Sequence, residues 1–214
     1  MTIVITGASR GIGAGLAEHY RAAGKDVMGA SRSPSSDIQL DVTQPSSHSA
    51  MAQALGEGPV ELLVCNAGVY LDKGCDLDTG FGADLWAQSF AVNVTGVFLS
   101  IQALLPHLRR APAPKIAIIS SQMASSTLAP GGSYIYRASK AAVLNLGRNL
   151  ATDLKPEGIA VGIYHPGWVQ TDMGGGTADI DVDASVAGLV DRFAALDLTR
   201  TGCFETWDGR DHPM

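Results

Sequence analysis

A tyrosine and a lysine four residues apart, Tyr136 and Lys140, have the spacing in this chain that best indicates chemistry. On a helix this step places both side chains on one face, about 6 Å apart at Cβ. A phenol with a pKa of about 10 is a poor acid near neutrality, and a nearby fixed positive charge stabilises its phenolate. Bringing that pKa near 7 takes about 4 kcal/mol, which one lysine and a cationic cofactor ring could supply. Because the pair alone also fits a half-buried ring beneath a solvated amine, it needs support from the rest of the chain.

A glycine-rich turn near the start of the chain provides that support. The β-branched run at residues 2–6 predicts a buried strand, and it is followed by Gly7-x-x-x-Gly11-x-Gly13 and a helical pattern. Glycines let the backbone approach a pyrophosphate closely, while free N–H groups and the positive end of the helix face the anion. The turn therefore predicts a phosphate cradle.

The same residues allow a rival interpretation. Gly7-Ala8-Ser9-Arg10-Gly11 also matches Gly-x-Ser-x-Gly, the turn that presents the nucleophile of α/β-hydrolases. That turn follows several earlier strands in the hydrolases, whereas here it follows the first one. Five histidines are present, so composition does not exclude a base partner, but the order of the elements favours the phosphate cradle.

With both motifs present, the chain resembles the short-chain dehydrogenase/reductase family along nearly its whole length. The matching stretches, in family order, are Thr6-Gly7-x-x-x-Gly11-x-Gly13, Asn66-Ala67-Gly68, Asn93-Val-Thr-Gly, Tyr136-Arg-Ala-Ser-Lys140 and His165-Pro166-Gly167-Trp168-Val169-x-Thr171. Within the family, the chain most resembles the sub-group of the bacterial C-factor proteins and the sniffer-type carbonyl reductases.

The resemblance implies four catalytic residues, Asn93, Ser121, Tyr136 and Lys140. Tyr136 is then the general acid, and Lys140 lowers the pKa of the phenol and binds the nicotinamide ribose. Asn93 bends its helix and holds a water, and a serine polarises the substrate carbonyl. Alternation along the preceding strand favours Ser121 for that role, with neighbouring Ser120, Ser125 and Ser126 as alternatives. Because asparagine is unfavourable inside a helix, an irregular helix is predicted at Asn93.

The residues expected to bind the cofactor come from six segments. They are Gly7, Ser9, Arg10, Gly11, Ile12, Gly13, Ser31, Arg32, Asp41, Val42, Asn66, Ala67, Gly68, Tyr136, Lys140, Pro166, Gly167, Val169 and Thr171. A carboxylate after the second strand would favour NAD, but this chain has Ser31-Arg32 there. Arg32 and Arg10 could pair with a 2′-phosphate, which favours NADP(H), with NAD(H) as the second choice. Asp41 is expected either at the adenine edge or as a cap for Thr43.

The composition fits a single α/β domain over residues 1–214. The chain is 46% hydrophobic and 17% charged, and apolar strands alternate with helical patterns. This alternation predicts a Rossmann fold, a doubly wound parallel sheet of about seven strands with helices on both faces. Strands are predicted at 2–6, 27–30, 38–40, 60–65, 115–120, 159–164 and 202–206, and helices at 12–23, 46–55, 84–110, 134–155 and 184–196.

Charge and composition also limit the partners. A net charge of −6 argues against general affinity for nucleic acids or anionic membranes. We expect no apolar run long enough to span a membrane and no signal peptide, and hence a cytoplasmic protein. Three cysteines without a Cys-x-x-Cys spacing predict neither a disulfide framework nor a metal site.

The sequence thus predicts an NADPH-dependent oxidoreductase that reduces a small ketone or aldehyde and assembles as a homodimer or homotetramer. Tyr134 and Trp168 are the candidate substrate contacts; Tyr134 lacks a lysine one turn later, because residue 138 is Ala138. The alternative is a catalytically weak NAD(P)-binding signalling protein of the C-factor type.

Overall fold

A seven-stranded parallel sheet forms the centre of the protein in a computed structural model that describes residues 1–78 and 80–214. The strands are β1 (Thr2–Thr6), β2 (Asp26–Ser31), β3 (Ile38–Gln39), β4 (Val60–Cys65), β5 (Lys115–Ile119), β6 (Ala160–His165) and β7 (Phe204–Thr206). The helices are α1 (Gly11–Ala22), α2 (Pro45–Leu55), α3 (Ala83–Phe90), α4 (Gly96–Leu108), α5 (Tyr134–Leu154) and α6 (Val182–Ala195). The strands lie in the order β3-β2-β1-β4-β5-β6-β7 and all pair in parallel, which confirms the predicted fold class.

Each face of the sheet is covered by a separate apolar layer. In β1, Val4 packs into the layer under α2, α4 and α5, whereas Ile3 and Ile5 pack into the layer under α1 and α6. Successive side chains of a strand point to opposite faces, so strands buried on both faces need continuous apolar runs. The β-branched runs recognised in the sequence meet that requirement.

The strand order reverses between β1 and β4, which lie side by side at the centre of the sheet. In doubly wound sheets, the connections leave in opposite directions at such a point and open a crevice beyond the carboxyl ends of the strands. The glycine turn after β1 and the Asn66-Ala67-Gly68 segment after β4 both lie at this edge. The fold therefore places two of the predicted motifs beside one another.

One helical stretch, Ala83–Leu108, is long and apolar enough to cross a membrane by length and composition alone. The expectation that no apolar run reaches that length is therefore wrong. Core helices of globular proteins pass the same test. Here α4 buries Val97, Ile101, Leu104 and Leu108 against the sheet, so its apolar side chains serve the core.

Candidate active site

Tyr136 and Lys140 lie on one buried face of α5, in its first two turns. The Lys140 Nζ atom is 5.7 Å from the centroid of the Tyr136 ring, and it donates a hydrogen bond of 3.0 Å to the carbonyl of Ile119 at the end of β5. The ammonium is thus held at the carboxyl edge of the sheet, close to the phenol. The spacing argument predicted this juxtaposition.

The ionisation of the pair differs from the expectation. Burial raises the pKa of Tyr136, the nearby Ser121 hydroxyl opposes this rise, and Tyr70 and Asp72 add smaller contributions to it, so that the pKa is about 12. Burial also lowers the pKa of Lys140 to about 8. Desolvation disfavours the charged form of each group, and at this depth it outweighs the attraction between them. The lysine alone therefore does not acidify the phenol.

Among the candidate serines, Ser121 is the one whose hydroxyl lies near enough to the Tyr136 phenol to lower its pKa. Its Oγ also accepts a bond of 3.1 Å from the Met123 amide, which fixes the rotamer. Ser120 points the other way and donates to the carbonyl of Lys140, 3.1 Å away. Ser125 is occupied with the Leu128 amide at 3.0 Å.

Asn93 lies in a π-helical segment, Ala91–Thr95, between α3 and α4, so the irregular helix predicted there is present. Its side chain binds both backbone groups of Val69, with Oδ1 accepting from the amide at 2.8 Å and Nδ2 donating to the carbonyl at 2.9 Å. Nδ2 also donates to Ser139 Oγ on α5, at 2.9 Å. The wider π turn thus lets one side chain join the loop after β4 to the helix of Tyr136.

Gly68 explains why that loop can approach so closely. A Cβ at this position would lie 3.4 Å from Asn93 Oδ1 and 3.5 Å from Lys140 Nζ. The backbone after Asn66-Ala67 therefore passes directly over two of the four predicted catalytic residues.

The glycine turn is shaped by close backbone approaches. Gly7 has a φ of +70°, and a Cβ there would lie 2.8 Å from the Cα of Ala67. A Cβ at Gly13 would overlap the Gly7 carbonyl oxygen and Asn66 Nδ2. Asn66 Nδ2 in turn donates to the Thr6 and Gly7 carbonyls at 3.1 Å each, which ties β4 to the turn.

The first turn of α1 leaves its N–H groups available for an anion. Arg10, at the N-cap, makes no side-chain capping bond, and the first helical turn contains no acidic residue. Unpaired amides at a positive helix end form a ready anion site. Ile12 points away from it and packs against the apolar layer, whereas Ser9 lines the pocket beyond β2.

The two arginines expected at the 2′-phosphate do not converge. Arg10 Nη1 pairs with Asp172 Oδ2 at 2.6 Å, and both side chains are mostly exposed. Arg32 is exposed after β2 and lines a pocket with Asp41. Ser31 is buried, and its Oγ accepts from the Ser33 amide at 3.0 Å.

Asp41 adopts the capping arrangement that was the alternative to an adenine contact. Its Oδ1 accepts from the Thr43 amide at 2.9 Å and from the Thr43 hydroxyl at 2.8 Å. These bonds lower the pKa of the Asp41 carboxyl. Both the side chain and the carbonyl of Val42 pack against Gly96 at the start of α4, where an added Cβ would lie 2.8 Å from the Val42 Cβ.

The loop after β6 closes over the glycine turn. Gly167 has a φ of +92°, and the Pro166 carbonyl accepts a bond of 2.6 Å from Ser185 Oγ. Val169 is buried and pairs with Ile180. A Cβ on Gly11 would lie 3.3 Å from the Thr171 methyl group, which brings this loop to the cradle.

Both candidate substrate residues are partly exposed at the mouth of the site. Trp168 is 44% exposed, and its Nε1 donates to the Gly174 carbonyl at 2.9 Å. Tyr134 is 38% exposed, and its ring meets Phe81 edge-on, with centroids 5.4 Å apart. The hydrogen bond from Trp168 to Gly174 also stabilises the loop after β6.

Sequence reasoning missed two residues in the loop after Gly68. The Tyr70 ring stacks on the Tyr136 ring, with centroids 4.3 Å apart, and its hydroxyl contacts Ser133 Oγ. The Asp72 carboxylate, 1% exposed, accepts from the amides of Ile135 and Tyr136. Their closeness to Gly68 could have placed them at this edge, but their contacts depend on the path of the loop, which no motif encodes.

A doubly wound sheet with a glycine cradle after its first strand, and with a tyrosine beside a buried lysine at the same edge, defines the class of dinucleotide-dependent oxidoreductases. Comparison with known proteins makes this specific. The family model described as short chain dehydrogenase matches residues 1–180, so the chain belongs to the short-chain dehydrogenase family.

Individual relatives agree with the predicted sub-group. C-signal of Myxococcus xanthus is 38% identical over 165 residues, which cover 77% of this chain and 98% of that protein. The NADPH-bound carbonyl reductase from chicken fatty liver is 30% identical, with a TM-score of 0.91 over 100% of this chain and 98% of the other. Carbonyl reductase Sniffer of D. melanogaster, 24% identical over 100% of this chain and 99% of its own, shares the fold with a TM-score of 0.92.

Proposed function

We propose that this protein is an NADPH-dependent reductase of ketones or aldehydes, in which Tyr136 is the general acid. The observation that carries the proposal is the convergence of Tyr136, Lys140 and Ser121 at the carboxyl edge of the sheet, with the serine hydroxyl near enough to the phenol to lower its pKa. Binding a nucleotide requires no such cluster, whereas protonating a carbonyl oxygen does.

The cradle fits a dinucleotide. Side chains at Gly7 and Gly13 would clash with the backbone of Ala67 and of Gly7 itself, so the glycines let the turn fold closely against the segment after β4, and the amides that begin α1 have no side-chain cap. The amides of this turn would hold the pyrophosphate, and Lys140 would bind the nicotinamide ribose. When bound, NADPH supplies the hydride that reduces the carbonyl carbon.

The residues of the chain then have distinct tasks. The Ser121 hydroxyl orients and polarises the substrate oxygen, and Tyr136 donates its phenolic proton to that oxygen. A phenol with a pKa of about 12 is fully protonated at neutral pH, which suits reduction better than alcohol oxidation. Lys140, with a pKa of about 8, can return a proton towards the phenol near physiological pH.

Preference for NADPH rests on charge beyond β2. Arg32 is an exposed cation there, and no carboxylate occupies the Ser31-Arg32 position, where one would repel a 2′-phosphate. The reductase from chicken fatty liver, similar over the whole chain, is described as NADPH-bound. Arg10, engaged with Asp172, takes a smaller part than the sequence predicted.

A matched pair of tyrosine variants tests the mechanism. The native protein, Tyr136→Phe and Tyr20→Phe are assayed with a panel of ketones and aldehydes by the loss of NADPH absorbance. We expect Tyr136→Phe to lose about 10²–10⁴-fold in kcat, the usual contribution of a general acid, with NADPH binding retained. Tyr20→Phe removes the same hydroxyl from a ring on α1 that packs against the apolar layer under α1 and α6, and it is expected to stay within about threefold of native. Equal activity of Tyr136→Phe and native protein would refute the assignment.

The second candidate function is a nucleotide-binding signalling protein, and it is favoured by the 38% identity to C-signal. In that case the cradle is kept for binding, and no carbonyl compound is turned over. Tight NADPH binding by the native protein without turnover on the whole panel would support this alternative over the reductase.

The proposal also includes a cytoplasmic homodimer or homotetramer. All three cysteines are free thiols, as in a reducing compartment. Trp86 on α3 and Phe98 on α4 are 36% and 39% exposed, which leaves apolar surface on these helices for another subunit. Light scattering at micromolar concentration tests this, and a monomer would contradict it.

A further inference from the structure

Asp72 is a buried carboxylate at the first turn of the helix that carries Tyr136. Its Oδ2 accepts a bond of 2.9 Å from the Ile135 amide, and its Oδ1 accepts one of 3.2 Å from the Tyr136 amide. The residue is 1% exposed, more deeply buried than Tyr136 itself at 8%. Burying a carboxylate is costly unless it is paired or hydrogen-bonded, and here its partners are two amides of the catalytic helix.

This arrangement replaces a cap that the helix lacks. Ser133 occupies the N-cap position with a φ of +48°, in the left-handed region, and its side chain makes no capping bond. A local Ser or Asp cap would normally satisfy the free amides of the first turn. In α5 that task falls to a residue more than sixty positions earlier, on the loop that also carries Gly68 and Val69.

The loop also touches the phenol side of the helix. The Tyr70 ring lies 4.3 Å from the Tyr136 ring, nearly parallel to it, and the Tyr70 hydroxyl contacts Ser133 Oγ. Tyr70 and Asp72 therefore hold Tyr136 from both its ring and its backbone amide. A shift of the loop would move the phenol.

We propose that Asp72 is a positioning residue for the reductase reaction: by capping α5 from the loop after β4, its carboxylate sets the position and the proton affinity of the Tyr136 phenol. The inference rests on the proposed function for its kinetic consequences. Small displacements of a reacting group, of about 1 Å, can reduce rates by about 100-fold. The negative charge adds to the effect of burial, which keeps the phenol protonated, as the acid in a reduction must be.

Four groups face the phenol and determine its proton affinity. Lys140 lies on the same helix, Ser121 follows β5, and Tyr70 and Asp72 come from the loop after β4. Of these, Ser121 favours the phenolate, while Tyr70 and Asp72 oppose it. Removing the charge of Asp72 is therefore expected to lower the pKa of Tyr136.

The test compares Asp72→Asn with Asp197→Asn. Asp197 is a matched control, since its Oδ1 also accepts from two consecutive amides, those of Thr199 at 2.8 Å and Arg200 at 3.1 Å. It follows α6, at the opposite edge of the sheet from Tyr136. We expect Asp72→Asn to lose about tenfold or more in kcat, with KM for NADPH changed less than about threefold, and Asp197→Asn to match native kinetics.

A direct titration separates positioning from a purely structural role. In protein labelled with ¹³C-tyrosine, the Tyr136 signal is assigned by its loss in Tyr136→Phe and followed from pH 8 to the alkaline limit of folding. In Asp72→Asn the pKa of this phenol should be lower than in native protein by about half a unit or more, whereas in Asp197→Asn it should be unchanged. Asp72→Ser, which also replaces the carboxylate with a neutral hydrogen-bond acceptor, is the second variant if Asp72→Asn does not fold, and the same shift of the Tyr136 pKa is expected.

The titration does not require turnover. If the native protein reduces nothing, the proposed function fails, but a lowered phenol pKa in Asp72→Asn still supports the role of Asp72. Native kcat together with an unchanged Tyr136 titration in both Asp72 variants would overturn it.

Discussion

Gly13→Ala should damage the cofactor cradle while leaving the catalytic cluster intact. Gly13 is in α1, so alanine is intrinsically better there by about 1 kcal/mol. Its Cβ, however, would overlap the Gly7 carbonyl oxygen and Asn66 Nδ2, and would lie 3.0 Å from the Gly7 carbonyl carbon. Relieving an overlap with backbone costs about 1–3 kcal/mol, which outweighs the gain in helix propensity. We expect a net loss of about 1–2 kcal/mol in the free energy of unfolding.

The larger effect is expected in cofactor affinity. To accommodate the methyl group, the Gly7 carbonyl must move, and it is bonded to Asn66 Nδ2, which also holds the Thr6 carbonyl. The amides that face the pyrophosphate belong to the same turn. A loss of at least about 1.4 kcal/mol in binding, or tenfold in Kd for NADPH, is expected by fluorescence titration.

Gly147→Ala is the matched control for this prediction. Gly147 is a buried glycine of α5, and a Cβ there would lie 2.7 Å from Ile163 Cγ1, in the core rather than at the cradle. It should destabilise the protein by a similar amount, about 1–2 kcal/mol in urea unfolding, with Kd for NADPH unchanged within about twofold. If Gly13→Ala binds NADPH as tightly as native protein, or no more weakly than Gly147→Ala, the close-approach argument is refuted.

Lys140→Met should abolish turnover yet raise the free energy of unfolding at pH 7 by about 1–3 kcal/mol, because burial holds the pKa of Lys140 at about 8, below its ordinary 10.5. Between pH 8 and 10.5 the unfolded native-sequence protein binds one more proton than the folded form, so its stability rises with pH and the stability difference between Lys140→Met and native protein should narrow. Urea unfolding at pH 7 and pH 10 measures this difference, and a Lys140→Met variant less stable than native protein at pH 7 would contradict the cost of the buried charge. Arg32→Glu should weaken NADPH binding by about 100-fold while NADH binding changes less than about threefold, as read by parallel titrations; equal losses for both cofactors would show that Arg32 does not contact the 2′-phosphate.

The sheet and the cradle could be predicted because their signals are local. Burial on both faces of the sheet requires the apolar run of β1, and close backbone approach requires the glycine spacing after it. Each pattern can be recognised within about a dozen residues. The same holds for Tyr136 and Lys140, whose relation depends only on the helical repeat. The choice of Ser121 over Ser120 came from the resemblance to the family, since alternation shows only that neighbouring side chains point in opposite directions.

Other features depended on tertiary contacts that no short pattern encodes. The pairing of Arg10 with Asp172 joins segments 162 residues apart, so no local pattern could predict it. The effect of burial on the pKa of Tyr136 could not be predicted, because attraction to a lysine is visible in a sequence spacing, whereas the degree of desolvation is not. Asp72 gave no signal for the same reason, since an isolated aspartate in a loop is ordinarily solvated.

The loop after β4 is the feature that unites these observations. Its Gly68 backbone passes over Lys140, its Val69 backbone binds the Asn93 side chain, and its Asp72 carboxylate caps α5 at Tyr136. Since β4 lies next to β1, a loop that begins beside the glycine cradle also determines where the phenol is placed. The glycine turn and the Tyr136 phenol are therefore both positioned by one segment of backbone, so a displacement of that segment would move both. This arrangement explains why a helix with a poor local cap can still carry a residue whose position must be accurate.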